Sequence, residues 1–181
     1  MKRIYLVRHS QAAGQEPEAP LTETGAQHAL ELAEFLQDRQ VGYIVSSPFV
    51  RAMETIKPLS DRIQVEVRTD GRLQERVLSA VPLADWMEKL EATYQDDLLK
   101  YEGGESAKEA AERGLQVIGE LRQRPESSLV AVTHGALLSL ILRHYDGRFG
   151  FENWRRLTNP DVYELTLEGT EGTVKRIWES G

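Results

Sequence analysis

The stretch IYLVRHS, residues 4–10, places an arginine and a histidine directly after an apolar run. A continuous apolar run that is rich in β-forming residues predicts a strand buried on both faces, as in a parallel sheet. The carboxyl ends of such strands are where open α/β sheets bind ligands. Arg8 and His9 are therefore candidate site residues, although a strand that simply reaches water would give the same local pattern.

Two more stretches repeat this arrangement of a buried strand followed by polar residues. VGYIVSS, residues 41–47, is followed by a helix for which Ser47 is the predicted N-cap and which Pro58 is expected to end or bend. SLVAVTHG, residues 128–135, leads directly into another helical pattern. Three predicted strands thus end in polar residues that precede a loop or a helix.

The rest of the chain alternates strand and helix patterns. A helix capped by Thr22 is predicted to run to about residue 39, and IQVEV, residues 63–67, predicts a third strand. Residues 82–101 and the segment after Ser106 have helical periodicity, and residues 162–179 read as a hairpin. This order predicts an α/β fold, a three-layer α/β/α sandwich with a mostly parallel central sheet to which the hairpin adds an antiparallel strand.

Composition limits the class of protein and its partners. The chain has 181 residues, which predicts a single domain over 1–181, and its net charge of −7 argues against nucleic acid and anionic membranes as partners. It contains no cysteine, which excludes disulfides and thiolate chemistry and fits a reducing compartment. The start MKRIYLV has two basic residues but only four apolar ones before Arg8, too few for a secretory leader, so a cytoplasmic protein is expected.

The residues at the three strand ends, together with Arg51 one turn into the helix after the second strand, are the components of a phosphate site. Guanidinium groups such as those of Arg8 and Arg51 match phosphoryl oxygens in a bidentate manner. A neutral His9 can attack phosphorus, and a protonated His134 can donate to the oxygens that gain charge. Since the two histidines come from distant strands without a cluster of carboxylates, the pattern requires neither a metal nor another cofactor.

Six short motifs carry a resemblance to the histidine phosphatase superfamily, the phosphoglycerate-mutase-like family. The resemblance covers nearly the whole chain. The motifs are LVRHS (6–10), PLTETGAQHA (20–29), SSPFVRAMET (46–55), LQER (73–76), GGES (103–106) and VTHG (132–135).

The resemblance implies a fold like that of phosphoglycerate mutase and specific roles for the site residues. His9 would be the catalytic nucleophile that forms a phosphohistidine. Arg8, Arg51 and His134 would bind the phosphoryl oxygens. Glu75 would protonate the leaving oxygen and then activate water, so that the chain would be a metal-independent phosphomonoesterase.

One position departs from the family pattern, and one depends on its neighbours. Ser10 stands where the family usually has glycine; it is small, and its N–H and hydroxyl can still face a phosphate, so it is assigned to phosphate binding. Arg72 and Arg76 flank Glu75, and an ion pair with either would keep this carboxyl ionised and prevent it from acting as an acid.

The segment at about 78–103 resembles the helical insertion with which this superfamily covers its substrates. Trp154 and Trp178 are expected to pack in the core or on the hairpin. The expected partner is a small phosphorylated substrate. The alternatives are a phosphoglycerate mutase, a small phosphohistidine-protein phosphatase and a non-catalytic phosphate-binding domain, and the sequence leaves both a monomer and a dimer open.

Overall fold

The computed structural model describes residues 1–179, which form six strands and six helices. The strands are β1 (Lys2–Arg8), β2 (Tyr43–Ser46), β3 (Val67–Thr69), β4 (Ser128–Thr133), β5 (Asp161–Glu168) and β6 (Glu171–Arg176). The helices are α1 (Glu23–Leu36), α2 (Val50–Ile63), α3 (Trp86–Thr93), α4 (Ala107–Arg122), α5 (Gly135–Tyr145) and α6 (Phe151–Arg155). No helix among these residues is long and apolar enough to cross a membrane.

The six strands form one sheet in the order β3-β2-β4-β1-β5-β6. β1, β2, β3 and β4 are mutually parallel, whereas β5 runs antiparallel to β1 and pairs with β6 as a hairpin. Arg8 is in register with Thr133, so β1 and β4 end side by side. The predicted α/β sandwich with its mostly parallel sheet and antiparallel hairpin is confirmed.

Alternation along the central strand divides the core into two layers. Ile4 and Leu6 point to the face that packs on α4 and α5, and Tyr5 and Val7 point to the face that packs on α1 and α2. All of these side chains are buried, as a central parallel strand covered on both faces requires. The two helical layers therefore fix the position of the end of β1, which carries Arg8 and is followed by His9.

Helix ends agree with the sequence at two places and differ at two others. Thr22 caps α1 through Gly25 N–H, and Ser106 forms a capping box at the start of α4. The helix after β2 begins at Val50 rather than at Pro48, so Ser47 is not its cap. That helix also continues through Pro58, because packing of its buried face outweighs one missing N–H.

The segment between β3 and α4 is mostly irregular. Only Trp86–Thr93 of the predicted 82–101 helix is helical. Backbone hydrogen bonds from Ala80 N–H to the carbonyl of Glu102 and from Glu105 N–H to the carbonyl of Val77 hold the two ends of the segment together. The third strand also lies later than IQVEV, at Val67–Thr69.

Candidate active site

His9 directly follows β1, and its ring is oriented by one backbone carbonyl and one side chain. Its Nδ1 is 2.7 Å from the carbonyl oxygen of Ser10, and because a carbonyl only accepts, Nδ1 carries the proton. Arg51 Nε donates to His9 Nε2 at 3.3 Å, and Asn159 Nδ2 donates to the His9 carbonyl at 3.1 Å. Both ring contacts assign the lone pair to Nε2, which lies on the Arg51 side.

Burial keeps this imidazole neutral. Burial above all, helped by the positive charges of Arg51 and Arg8 and opposed by the Ser10 hydrogen bond, lowers the pKa of His9 to about 4. A neutral ring with an unprotonated Nε2 is the form in which histidine acts as a nucleophile.

His134 stands against His9, with their ring centroids 5.0 Å apart. Its Nε2 is 2.8 Å from Ser47 Oγ, and its Nδ1 has no partner among the described residues. Burial, followed by the charges of His9, Arg51 and Arg8, lowers the pKa of His134 to about 2. The free protein therefore holds this ring neutral, which differs from the protonated His134 expected from the sequence.

The two arginines come from different elements, Arg8 from β1 and Arg51 from α2. Arg8 Nη1 donates to the Leu157 carbonyl at 3.1 Å, and its guanidinium lies over Gly135, where a Cβ would be only 2.9 Å away. Arg51 Nη1 donates to the Glu16 carbonyl at 2.9 Å. Burial lowers the pKa of both guanidinium groups, yet arginine keeps its charge in proteins. The pair places two cations close enough to His9 for both to lower its pKa.

Ser10 follows His9 in the chain, and its backbone N–H binds a side chain of α2. It is fully buried, and its N–H donates to Thr55 Oγ1 at 2.9 Å, which in turn donates to the Arg51 carbonyl. The Ser10 N–H is thus already hydrogen-bonded within the protein and is not free to bind a phosphate. Only its hydroxyl, which has no partner in residues 1–179, is left for the assigned phosphate contact.

The loop after Ser10 is shaped by the PLTETG motif. Thr22 N–H donates to the Gln11 carbonyl at 3.0 Å, and Ala12 and Leu21 form an isolated bridge. A Cβ on Gly25 would lie 2.1 Å from the Gln11 carbonyl oxygen, so only glycine lets this loop rest on α1. The motif therefore fixes the backbone that lines one side of the site.

Glu75 is held at the N-terminus of α5 by backbone groups. Its carboxylate accepts hydrogen bonds from Leu137 N–H at 3.0 Å, Ala136 N–H at 3.1 Å and Arg76 N–H at 2.8 Å. Neither neighbouring guanidinium pairs with it: Arg72 binds Asp70 and Glu120, and Arg76 turns away to Thr93 and Glu105. The ion pair that would compete with an acid role is absent from the described residues.

Two cavities meet at these residues. The small cavity, about 160 Å³, is lined by Arg8, His9, Arg51, Glu75, Asn159 and the loop residues Gln11, Ala12 and Gln15. The large cavity, about 570 Å³, shares Arg8, Gln15 and Glu75 with it and adds Arg76, Leu78, Trp86, Leu90, Ala136 and Trp154.

The contents of the cavities define their chemistry. The small cavity has the neutral His9 ring and two cations and is suited to a phosphate. The large one is partly apolar and suits an organic group. Trp154, expected to serve packing alone, lines the large cavity and also stacks on Phe151, whereas Trp178 packs on Phe35. The described residues contain no group of three or more His, Asp or Glu side chains placed to hold a metal ion.

The family model described as "Histidine phosphatase superfamily (branch 1)" matches residues 4–180 of the chain. The chain belongs to the histidine phosphatase superfamily. This confirms the resemblance that the six motifs carry.

Relatives of this histidine phosphatase are named as phosphatases. The chain is 28% identical over 192 residues to the putative phosphoserine phosphatase 2 of Hydrogenobacter thermophilus, covering 96% of this chain and 94% of that protein. It is 30% identical over 181 residues to the glucosyl-3-phosphoglycerate phosphatase of Mycolicibacterium vanbaalenii, covering 85% and 78%. The chain is a histidine phosphatase, as the motifs predicted.

Solved structures agree with the fold. A mycobacterial glucosyl-3-phosphoglycerate phosphatase in complex with inorganic phosphate superposes with a TM-score of 0.78 at 26% identity, covering 99% of this chain and 98% of that one. A phosphoglycerate mutase from Bacillus anthracis has a TM-score of 0.77 at 17% identity, covering 97% and 92%, which shows the shared fold alone.

Several contacts of this histidine phosphatase's site were not found from the sequence. Arg113 on α4 forms an ion pair with Glu105 and donates to three backbone carbonyls, those of Arg72, Gln74 and Glu75. These bonds hold the segment that carries Glu75 against α4. The sequence pattern predicts Ser47 as a helix cap and indicates no site role for Thr55 or Asn159. Thr55 was within reach of sequence reasoning, because it lies one helical turn after Arg51 on the same helix face.

Proposed function

We propose that this histidine phosphatase hydrolyses small phosphate monoesters in two steps through a phosphohistidine on His9. In the first step, His9 Nε2 attacks phosphorus and the ester P–O bond breaks, while Glu75 gives its proton to the leaving alcohol oxygen. In the second, Glu75 takes a proton from water, whose oxygen attacks phosphorus. The P–N bond then breaks, releasing inorganic phosphate and restoring neutral His9.

One observation carries this proposal: the proton of His9 is committed to the Ser10 carbonyl, which leaves Nε2 unprotonated beside the Arg51 guanidinium. Arg8, Arg51 and His134 are proposed to bind the phosphoryl oxygens, with the unpartnered Nδ1 of His134 as the donor. Fixed donors at such oxygens stabilise the charge that develops in the transition state. The hydroxyl of Ser10 is proposed as a further phosphate contact.

Glu75 is proposed as the general acid and base because of its place between the cavities. It lines both, so a phosphate beside His9 brings the ester oxygen towards the Glu75 carboxyl while the alcohol part enters the large cavity. We further propose that residues 78–103 are the cover of this single-domain enzyme, since Leu78, Trp86 and Leu90 line the large cavity.

The test is a panel of phosphate monoesters with phosphate release as the readout and chelator present. Phosphoserine and glucosyl-3-phosphoglycerate belong in the panel because relatives are named for them. We expect turnover that is lost in His9→Ala and kept in His144→Ala, which changes an exposed histidine at the end of α5. No turnover across the panel, or full turnover by His9→Ala, would overturn the proposal.

A mutase remains the second candidate, because other relatives are named as probable phosphoglycerate mutases. One from Proteus mirabilis is 25% identical over 187 residues. Incubation with 3-phosphoglycerate separates the two: a phosphatase releases phosphate, whereas a mutase forms the 2-isomer and retains the phosphoryl group.

A further inference from the structure

The large cavity combines apolar walls with one buried guanidinium that the proposed mechanism does not use. Leu78, Leu90 and Trp154 supply apolar surface, and Arg76 lies among them. The volume of about 570 Å³ is in the range of small-molecule sites. Because the cavity also shares Glu75 with the small cavity, an alcohol leaving group bound there lies beside Arg76.

Arg76 is buried without a carboxylate partner among residues 1–179. Only 5% of the residue is exposed; Nη1 donates to Thr93 Oγ1 at 2.8 Å and Nη2 to the Glu105 carbonyl at 3.0 Å. Within residues 1–179, its Nε has no hydrogen-bond partner and no ion pair includes Arg76. By contrast, Arg72 and Arg113 each pair with a carboxylate.

A buried charge is costly unless an opposite charge accompanies it. Burial lowers the pKa of Arg76, although nearby Glu105 and Glu75 oppose the change, and the guanidinium stays charged. Glu105 is already paired with Arg113 through both carboxylate oxygens. The positive charge of Arg76 is therefore only partly balanced by the protein.

The charged side chains that line the two cavities point the same way. Arg8, Arg51 and Arg76 contribute three positive charges to this lining and His9 is neutral in the free protein, so a phosphate dianion balances two of the three. When Glu75 carries the proton that it is proposed to donate, one positive charge remains. That charge is in the part of the site where the alcohol group binds.

We infer that Arg76 selects substrates whose alcohol part carries an anionic group, such as a carboxylate, on an otherwise apolar body. This inference rests on the proposed function and deepens it. The anionic group lies against the Arg76 guanidinium, while the apolar body contacts Leu78, Leu90 and Trp154. A substrate that has the same shape without the charge leaves Arg76 uncompensated and reacts more slowly.

A purely structural role for Arg76 makes a different prediction. Its bonds to Thr93 on α3 and to Glu105 tie the segment 77–105 to Glu75. If that were its only role, replacing Arg76 would slow charged and neutral substrates to the same extent. The ratio of the two rates therefore separates selection from anchoring.

The experiment uses pairs of aryl phosphates that differ only in charge. Carboxyphenyl phosphate and its carbamoyl counterpart, each substituted at position 3 or 4, are compared by kcat/KM in wild type, Arg76→Gln and Arg76→Lys. Comparing ratios between variants removes the difference in intrinsic reactivity of the two esters. Arg72→Gln is the matched control, because it removes the same charge from the same segment but from a side chain that lines neither cavity.

We expect Arg76→Gln to lower the carboxylate-to-carboxamide ratio by about 10- to 100-fold, the range for losing a hydrogen bond between charged groups. Arg76→Lys keeps part of the preference, and Arg72→Gln leaves the ratio unchanged. A ratio that Arg76→Gln does not alter in a folded enzyme overturns the inference, even if both rates fall.

Binding distinguishes failure of the inference from failure of the proposed function. Titration calorimetry with carboxybenzylphosphonate and carbamoylbenzylphosphonate, which cannot be hydrolysed at the P–C bond, measures the same preference without turnover. If no ester is hydrolysed but wild type prefers the charged phosphonate and Arg76→Gln does not, the selectivity stands and the catalytic proposal fails. Equal binding of both phosphonates by wild type overturns the inference whatever the turnover.

Discussion

Replacing Gly135 by alanine is expected to displace Arg8 and slow the enzyme. A Cβ at position 135 would lie 2.9 Å from Cζ, Nε and Nη2 of Arg8, whereas ordinary contact begins near 3.4 Å. The guanidinium must therefore move by at least about 0.5 Å or lose its bond to the Leu157 carbonyl. Misplacement of a catalytic group by about 1 Å costs roughly 10²-fold, so we expect kcat/KM to fall by about 10- to 100-fold.

Steady-state hydrolysis of 4-nitrophenyl phosphate measures this loss, and inhibition by inorganic phosphate shows whether the anion is bound more weakly. Gly119→Ala on α4 is the matched control, since a Cβ there meets nothing within 4 Å. It should keep full activity and gain about 0.5–1 kcal/mol of stability, as glycine-to-alanine changes in helix interiors do.

A double mutant tests the mechanism of the effect. In an Arg8→Ala background the added methyl group has no guanidinium to displace, so Gly135→Ala should have little further effect on kcat/KM. Wild-type kcat/KM in folded Gly135→Ala, or losses that simply multiply in the double mutant, would refute the reasoning.

Three more predictions concern Glu75, Arg113 and the two histidines. Glu75→Gln should lower kcat by about 10²–10⁴-fold with nearly unchanged inhibition by phosphate, and equal kcat values would contradict its acid role. Arg113→Met should lower kcat by about tenfold or more at constant KM because it releases the backbone carrying Glu75, whereas Arg122→Met, which frees only the Gly169 carbonyl, should not. Since the folded protein lowers the pKa of His9 to about 4 and of His134 to about 2, the unfolded chain binds more protons below pH 6.5. The free energy of unfolding should then fall with decreasing pH by up to about 1.4 kcal/mol per pH unit for each ring. Urea denaturation at several pH values measures this slope, and the slope should be smaller in His134→Gln.

The end of each strand was predictable because apolar runs and helix starts are local signals. Arg8, Arg51 and His134 follow such runs or open the next helix, and the parallel sheet brings them together. The caps at Thr22 and Ser106 were equally local, since each side chain binds a backbone N–H within its own turn.

Local signals misled where tertiary contacts decide the outcome. Ser47 and Pro48 have the pattern of a helix start, but the Ser47 hydroxyl contacts His134, from the end of β4, and the helix begins later. The periodicity of residues 82–101 does not form one helix, because Asp96 binds the N–H of Leu98 and favours a turn. Leu30 has helical spacing with the α1 core, yet it is exposed, and Leu32 is buried instead.

The supporting contacts of the site were beyond sequence reasoning for a different reason. Asn159 reaches the His9 carbonyl and Arg113 reaches the Glu75 carbonyl, across 150 and 38 positions of the chain. Such pairs depend on how the sheet and the helices pack, and no spacing rule links them. For the segment at 78–103, the sequence indicates Trp86, Met87, Leu90 and Tyr94 as candidate lining residues, and of these Trp86 and Leu90 line the large cavity.

Chemical trapping of the intermediate tests the central role of His9 most directly. Wild-type enzyme is mixed with excess phosphoserine or 4-nitrophenyl phosphate, quenched in base within a turnover, digested, and sequenced by mass spectrometry. We predict phosphate on the peptide that contains His9, stable in base, lost in acid, and missing from His9→Ala. Turnover by wild type with no phosphate on His9, or with phosphate on another residue, would contradict the proposed mechanism.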